Sequence, residues 1–243
     1  MKNITELTSS INVFIHVPKT SGSTINKYCE RSKFIGESHC EAWIDNDKDV
    51  SEKVLYLEWL SGHVPFFKMR KRLCEYTSRD LCFFSCIRDP LKQLMSHYNW
   101  LIEIYNRGGH FYDGHPAKIK EISHAIRTTD NSQPENVIQQ IKASPGLFLN
   151  QQSRIILGEN PHALSDQGYK EALKVYEFIA TETTLPKLIN QLSGLPYDDE
   201  KRENVSAYHF DKAVFKSDIM QEFLNEQNAA DLRLYTFILN LEQ

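Results

Sequence analysis

Two short polar segments of the sequence hold side chains suited to binding an anion at two points. Residues 19–24 read Lys-Thr-Ser-Gly-Ser-Thr, a cation followed by hydroxyl side chains and one glycine. Arg88 lies further along the chain, and Ser96 follows it by eight residues. The N–H groups of a helix N-terminus and the fork of a guanidinium both favour phosphate-like groups. The two segments together predict a site for a ligand that carries two anionic groups.

Each polar segment follows an apolar run that is typical of a buried parallel strand. Residues 12–17 and 81–87 form these runs, and helical patterns follow them over residues 23–31 and from Pro90 to about residue 106. Asp89 fits a helix N-cap and Pro90 the first helical position. Strands that alternate with helices predict an α/β fold of three layers, with a mostly parallel central sheet flanked by helices.

Two other stretches matter for the architecture. Residues 54–60 are apolar and fit a helix or a strand equally well. Residues 218–241 have the spacing of the longest amphipathic helix in the chain.

Length and composition indicate one globular domain. The chain has 243 residues, of which 41% are hydrophobic and 25% are charged. These values predict a single domain over residues 1–243. Two adjacent glycines, a proline and a polar stretch at residues 107–133 predict an insertion in that domain. The net charge of −4 argues against general nucleic-acid binding.

The cysteines and the N-terminal residues bear on the compartment. None of the five cysteines forms a CxxC pair, so we expect buried, reduced thiols and no zinc site built from them. Residues 1–10 lack a signal-peptide pattern, and no apolar run approaches the roughly 20 residues needed to span a bilayer. The sequence therefore predicts a cytoplasmic chain without a membrane span, while a luminal domain trimmed of its anchor stays open.

The two polar segments resemble the nucleotide-binding signature of sulfotransferases that use 3′-phosphoadenosine-5′-phosphosulfate (PAPS). The nearest resemblance is to the branch that contains heparan sulfate 2-O-sulfotransferases and bacterial carbohydrate sulfotransferases. In that family a Val-Pro-Lys-Thr run with following small residues holds the 5′-phosphosulfate, and Arg-Asp-Pro with a later Ser holds the 3′-phosphate. The resemblance therefore implies a 3′-phosphate site at Arg88 and Ser96. It implies a 5′-phosphosulfate site formed by Lys19, Thr20, Ser21, Gly22, Ser23 and Thr24.

Weaker likenesses continue through the chain in family order. They are the Asn-x-Gln-x-Arg-like segment at 150–154, Thr181-Glu182, the Asn-Val-Ser sequence at 204–206, and the Asp-x-x-Leu-Tyr-like sequence at 231–235. The resemblance implies a P-loop-like sulfotransferase fold.

Sulfuryl transfer needs an anchored donor, a charge at the departing phosphate and a base for the acceptor hydroxyl. Lys19 suits the second need because its ammonium can follow the developing negative charge. The Gly-His-Val sequence at 62–64 resembles the segment that supplies the catalytic base in the 2-O-sulfotransferase branch, which implies that role for His63. Imidazole, with a pKa of about 6.5, suits general base catalysis near neutral pH.

The resemblance further implies PAPS as the donor, its desulfated form (PAP) as the product, no metal, and a saccharide or glycan hydroxyl as the acceptor. Arg154 and the basic helix predicted over residues 65–76 are candidate acceptor contacts. The alternative for the helix is a charged face exposed to solvent. Among the other histidines, we expect His16 to pack within a strand, His97 to line the cleft, and the insertion to bring His110 and His115 to the acceptor.

Three alternatives have different standing. A P-loop nucleotide triphosphatase is disfavoured because its lysine follows a second glycine, whereas Lys19 precedes Gly22. Protein tyrosine sulfation and a catalytically silent PAP- or PAPS-binding protein both stay open.

Overall fold

The computed structural model describes residues 9–158, 160–199 and 207–242. Their contacts group into two compact units. The first comprises the described residues of Met1–Ile87, Gln152–Asn204 and Ile238–Gln243, and the second those of Arg88–Gln151 and Val205–Phe237. The interpretation of the chain as one domain stays a prediction.

The first unit is built on a five-stranded parallel sheet. Its strands are β1 (Ser10–Ile15), β2 (Gly36–Glu37), β3 (Trp59–Gly62), β4 (Asp80–Cys86) and β5 (Tyr176–Ala180). They lie in the order β2-β3-β1-β4-β5, and every neighbouring pair is parallel. The predicted α/β class with a parallel central sheet is therefore confirmed. The apolar runs at 12–17 and 81–87 are the two central strands, displaced toward the N-terminus by one or two residues.

Helices cover the sheet of the first unit. They are α1 (Gly22–Arg31), α2 (Asp47–Lys53), α3 (Phe66–Tyr76), α9 (Gln151–Leu157, with Gln151 in the second unit), α10 (Asp166–Leu173) and α11 (Leu185–Ser193). Phe14 and Phe84 are register partners, and they pack in one apolar cluster with residues of α1 and α11. The adjacent Phe83 points to the opposite face and contacts Phe66 of α3, with ring centroids 4.9 Å apart. Successive strand residues thus bury both faces of the sheet, as parallel strands require.

The second unit is helical throughout its described residues. It contains α4 (Pro90–Arg107), α5 (Gly109–Asp113), α6 (Ala117–Thr128), α7 (Pro134–Ala143), α8 (Pro145–Phe148), α12 (Asp218–Gln227) and α13 (Ala229–Glu242, of which residues 238–242 belong to the first unit). Its core includes Tyr98, Phe148 and Phe215, all fully buried. The start of α4 is as predicted, because Asp89 accepts a hydrogen bond from the Lys92 N–H at 2.9 Å and Pro90 is the first helical residue.

The predicted insertion at 107–133 is ordered secondary structure. It forms α5 and α6, and the Ser123 hydroxyl of α6 donates to the Leu101 carbonyl of α4 at 2.5 Å. Ile126 of the same helix is fully buried in the core of the second unit.

The single helix predicted over residues 218–241 is wrong. The chain leaves α12 at Asn228, where φ is −112° and ψ is 24°, and starts α13 at Ala229. The buried Asn228 side chain accepts a hydrogen bond from the Asn150 N–H at 2.5 Å. This contact from a distant segment favours the break, and amphipathic spacing does not reveal it.

None of the described helices has the length and apolar character needed to cross a membrane. Cys29, Cys40 and Cys86 are buried free thiols, Cys82 is half-buried and Cys74 is exposed. The expectation of buried, reduced thiols is therefore confirmed for three of the five.

Candidate functional site

The turn that joins β1 to α1 has an unusual backbone. Lys19 and Ser21 both adopt positive φ, at 66° and 74°, although neither is glycine. The Thr20 hydroxyl donates to the Val17 carbonyl at 2.9 Å and closes the turn from inside. Such strain persists only where the surrounding structure requires it, and it concentrates at ligand sites.

The N-terminus of α1 follows this turn directly. Ser21 occupies the N-cap position without a side-chain capping hydrogen bond, and the first turn of α1 contains no acidic residue. The side chain of Ser23 is exposed there, whereas Thr24 is only 1% exposed. The first turn of α1 therefore combines the partial positive charge of a helix N-terminus with polar groups, and it contains no carboxylate that would compete with a bound anion.

Position 22 must be glycine because the His16 ring fills the space that a side chain there would occupy. A Cβ built on Gly22 would lie 1.8 Å from Nε2 of His16, far inside van der Waals contact. His16 is 4% exposed, and its Nδ1 has no hydrogen-bond partner among the described residues. Burial is the main reason that the pKa of His16 lies well below its ordinary value, and His63, His39 and Lys19 lower it further. His16 is thus a neutral ring beneath the turn, buried as expected but one residue beyond the strand.

His63 lies beside this turn because of the sheet register. β1 and β3 are parallel, and Ile15 lies opposite Gly62 at their ends. His16 follows Ile15 and His63 follows Gly62, so the two histidines leave neighbouring strands side by side. Their ring centroids are 4.0 Å apart. Nδ1 of His63 lies 2.9 Å from the His16 carbonyl oxygen, which can only accept, so Nδ1 carries the proton. The neutral ring consequently presents a lone pair on Nε2, the form that a general base needs.

Two residues that sequence analysis did not assign to the site flank His63. Glu41 accepts hydrogen bonds from the His63 backbone N–H and from Nδ1 of His39, each at 2.9 Å. Desolvation lowers the pKa of His63 below its ordinary value, and the charges of His39 and Lys19 add to this. The Glu41 carboxylate and the hydrogen bond to the His16 carbonyl partly oppose that shift. Burial raises the pKa of Glu41, but the hydrogen bonds it accepts outweigh burial and lower it overall.

Arg88 and Ser96 belong to the second unit. Arg88 immediately precedes the Asp89 cap of α4, and Ser96 lies within that helix; both side chains are half-buried. His97 is 2% exposed and packs between Trp100 and Phe148, with ring centroids 5.6 and 5.7 Å away. His97 is therefore part of the core of the second unit. His110 is exposed on α5, and His115 faces the Phe111 carbonyl at 2.6 Å.

Two of the four cations of the basic helix α3 are in ion pairs. Lys68 pairs with Asp45 at 2.7 Å, and Arg72 pairs with Asp47 at 2.6 Å and Glu75 at 2.7 Å. For Lys68 and Arg72 these pairs favour a solvated charged face over a role in binding an anionic acceptor, and they do not bear on Arg70 and Lys71. The Asn-Val-Ser sequence at 204–206 lies outside the described residues.

Comparison with known proteins adds no family. No protein-family model matches the chain, and no curated protein matches it significantly. The sulfotransferase resemblance therefore depends on the motifs themselves.

Proposed function

We propose that this chain is a PAPS-dependent sulfotransferase that transfers a sulfuryl group to a hydroxyl of a saccharide or glycan. One observation carries the proposal: the strained Lys19–Ser21 turn at the α1 N-terminus and the Nε2 lone pair of His63 follow adjacent parallel strands. In this proposal the helix terminus binds the sulfuryl donor and the neighbouring His63 acts as the base. The P-loop-like form of the α/β fold is part of the same proposal.

The donor half of the proposal assigns the 5′-phosphosulfate to the turn. Residues 21–24 would offer backbone N–H groups at the start of α1, and the accessible Ser21 and Ser23 would add their hydroxyls. Thr24 is buried and would contribute through its backbone, while Thr20 holds the turn in shape. Arg88 and Ser96 would bind the 3′-phosphate; this assignment derives from the sequence resemblance alone.

The chemical step uses His63 and Lys19. Nε2 of His63 takes the proton of the acceptor hydroxyl as the acceptor oxygen bonds to sulfur. The bond between sulfur and the bridging oxygen of the 5′-phosphate breaks, and both bonding electrons stay on that oxygen. The Lys19 ammonium stabilises this charge, and PAP leaves. The resident groups suffice for this step, so the proposal includes no metal cofactor.

Two substitutions separate catalysis from donor binding. His63→Ala should lower the turnover number by about 10²–10⁴-fold, the usual contribution of a general base, while PAP affinity stays close to that of the wild type. Arg88→Ala should weaken PAP binding by about 1.5–3 kcal/mol, the scale of a charged hydrogen bond. Turnover is measured with labelled PAPS and binding by calorimetry.

Matched controls are available on the surface. His162→Ala and Lys170→Ala change exposed residues and should alter neither quantity. Equal loss of turnover and PAP affinity in His63→Ala would show that His63 supports the structure and is not the base. Unchanged PAP affinity in Arg88→Ala would remove Arg88 from the donor site.

A further inference from the structure

Three metal-ligating side chains of the first unit converge at the surface beside β3. His39, Glu41 and His63 each offer a ligand atom, and these atoms lie within 4.8 Å of one another. All three residues are exposed, so a cation can reach them from solvent. The set consists of two imidazoles and one carboxylate, nitrogen and oxygen donors that suit Zn²⁺ and its first-row neighbours.

The backbone holds these residues in place. His39 precedes the 3₁₀ turn Cys40–Ala42 and has a positive φ of 61° although it is not glycine. Gly62 lets this turn approach the end of β3, because a Cβ there would lie 2.5 Å from Sγ of Cys40 and 2.6 Å from Oε2 of Glu41. The Glu41 carboxylate is fixed in turn by the His63 N–H. The cluster is therefore built by a strained residue and a close backbone approach.

The surroundings of His63 match those of a metal ligand. A metal-bound imidazole usually donates its other ring N–H to a carbonyl or carboxylate, which fixes the tautomer and aims the free nitrogen. The His63 Nδ1–H donates in this way to the His16 carbonyl and leaves Nε2 for a cation. Three protein ligands would leave an open coordination position, as in many zinc sites that exchange water.

We propose that His39, Glu41 and His63 form a binding site for a divalent first-row transition ion, with Zn²⁺ as the probe. If His63 is the general base of the proposed sulfotransferase, bound metal occupies the same Nε2 and inhibits turnover reversibly. The binding claim is independent of the proposed function, whereas the inhibition depends on it.

Zinc competition against a chromogenic chelator tests the binding claim. The full chain is used without a polyhistidine tag, and Cys74 is replaced by serine in every sample because an exposed thiol also binds zinc. We expect stoichiometric uptake of one Zn²⁺, with affinity reduced by about tenfold or more in His39→Ala, Glu41→Gln and His63→Ala. Glu41→Gln keeps an oxygen for the His63 N–H, so its loss of affinity reports the ligand and not the fold. His162→Ala should bind as the parent does.

The outcomes are distinct. Failure of the parent to take up Zn²⁺, or equal affinity in the parent and the three ligand variants, would overturn the site. For inhibition, the ratio of turnover with and without Zn²⁺ should be low in the parent, recover on adding chelator, and approach unity in His39→Ala. A parent that binds zinc yet turns over at the same rate would overturn the inhibition alone. Absence of any sulfuryl transfer would refute the proposed function and leave the zinc result standing.

Discussion

At the scale of single residues, the buried ring of His16 is what requires glycine at position 22. The ring of His16 occupies the space of any side chain at position 22. The sequence resemblance assigned Gly22 to the 5′-phosphosulfate site, and the structure adds a reason for glycine that lies within the protein. A hydroxyl-rich turn predicts an anion site, but nothing local in the sequence shows that a buried imidazole lies beneath it.

Gly22→Ala should therefore destabilise the chain and weaken PAP binding. Forcing a methyl group against the buried ring should reduce the free energy of unfolding by about 1–3 kcal/mol, the usual cost of overpacking. Denaturant unfolding and PAP calorimetry measure the two effects. The double variant His16→Ala/Gly22→Ala should recover part of the stability, because the two changes share one contact.

Gly168→Ala is the control for this substitution. Gly168 lies in α10, where a Cβ would meet its nearest neighbour at 3.4 Å, an ordinary contact. Alanine is the better helix former, so this variant should be as stable as the wild type or more so. If Gly22→Ala behaves like Gly168→Ala, the close approach of His16 is not a constraint.

At the scale of elements, sequence patterns located the central strands well and the element ends less well. The apolar run at 54–60 fitted a helix or a strand, and it is divided: a turn closes with the Leu57 N–H on the Lys53 carbonyl at 3.1 Å, and β3 begins at Trp59. The parallel pairing of β3 with β1 decides this division. That pairing involves residues far apart in sequence, so no local period contains it.

Arg79 ties the start of the sheet to the turn after α2. Its guanidinium donates to the carbonyls of Val54 at 3.0 Å, Leu57 at 2.8 Å and Ser10 at 2.9 Å. Arg79→Ala should reduce the free energy of unfolding by about 1.5–3 kcal/mol, since carbonyls lose a charged donor. Arg79→Lys should recover only part, because an ammonium lacks the planar fork. Arg70→Ala, on the exposed side of α3, should change stability little in the same denaturant titration.

The contact between α4 and residues 207–211 should make the stability of the second unit depend on pH. His209 donates from Nε2 to the Glu103 carboxylate, and Nε of Arg107 donates to it at 3.1 Å. These bonds, chiefly that from His209, hold the pKa of Glu103 below its ordinary value. A carboxyl group whose pKa is lower in the folded state stabilises the fold at pH values above its ordinary pKa. This stabilisation is lost as the pH falls through the lower pKa of the folded state.

Glu103→Gln should therefore be less stable than the wild type at neutral pH, and the difference should shrink as the pH falls from the ordinary carboxyl pKa through the depressed pKa of Glu103. Denaturant unfolding at several pH values measures this difference. Glu121→Gln, which alters an exposed carboxylate on α6, should stay close to the wild type throughout. A Glu103→Gln difference that is constant with pH would show that the charge of Glu103 does not contribute.

At the scale of the whole molecule, the alternation of strands and helices predicted the α/β class and its parallel sheet. The division of the described residues into two compact units was not predicted. Residues 88–151 form a helical unit whose core includes Leu94, Tyr98 and Phe148, and the period of apolar residues does not tell which core a helix joins. The strand order could not be predicted from local sequence patterns, and neither could the approach of His16 to His63 that depends on it. Glu41 and His39 were missed for the same reason, because they approach His63 only in the folded sheet.

Transfer of labelled sulfuryl from PAPS is the most direct test of the account. The chain is incubated with labelled PAPS and, in parallel, with mixed oligosaccharides, with tyrosine-containing acidic peptides, or with no acceptor. We predict label on the oligosaccharides, at a rate that falls in both Lys19→Ala and His63→Ala. Label on the peptides alone would replace the saccharide by tyrosine as the acceptor. PAP binding without label on any acceptor would contradict the claim that this chain is a sulfotransferase.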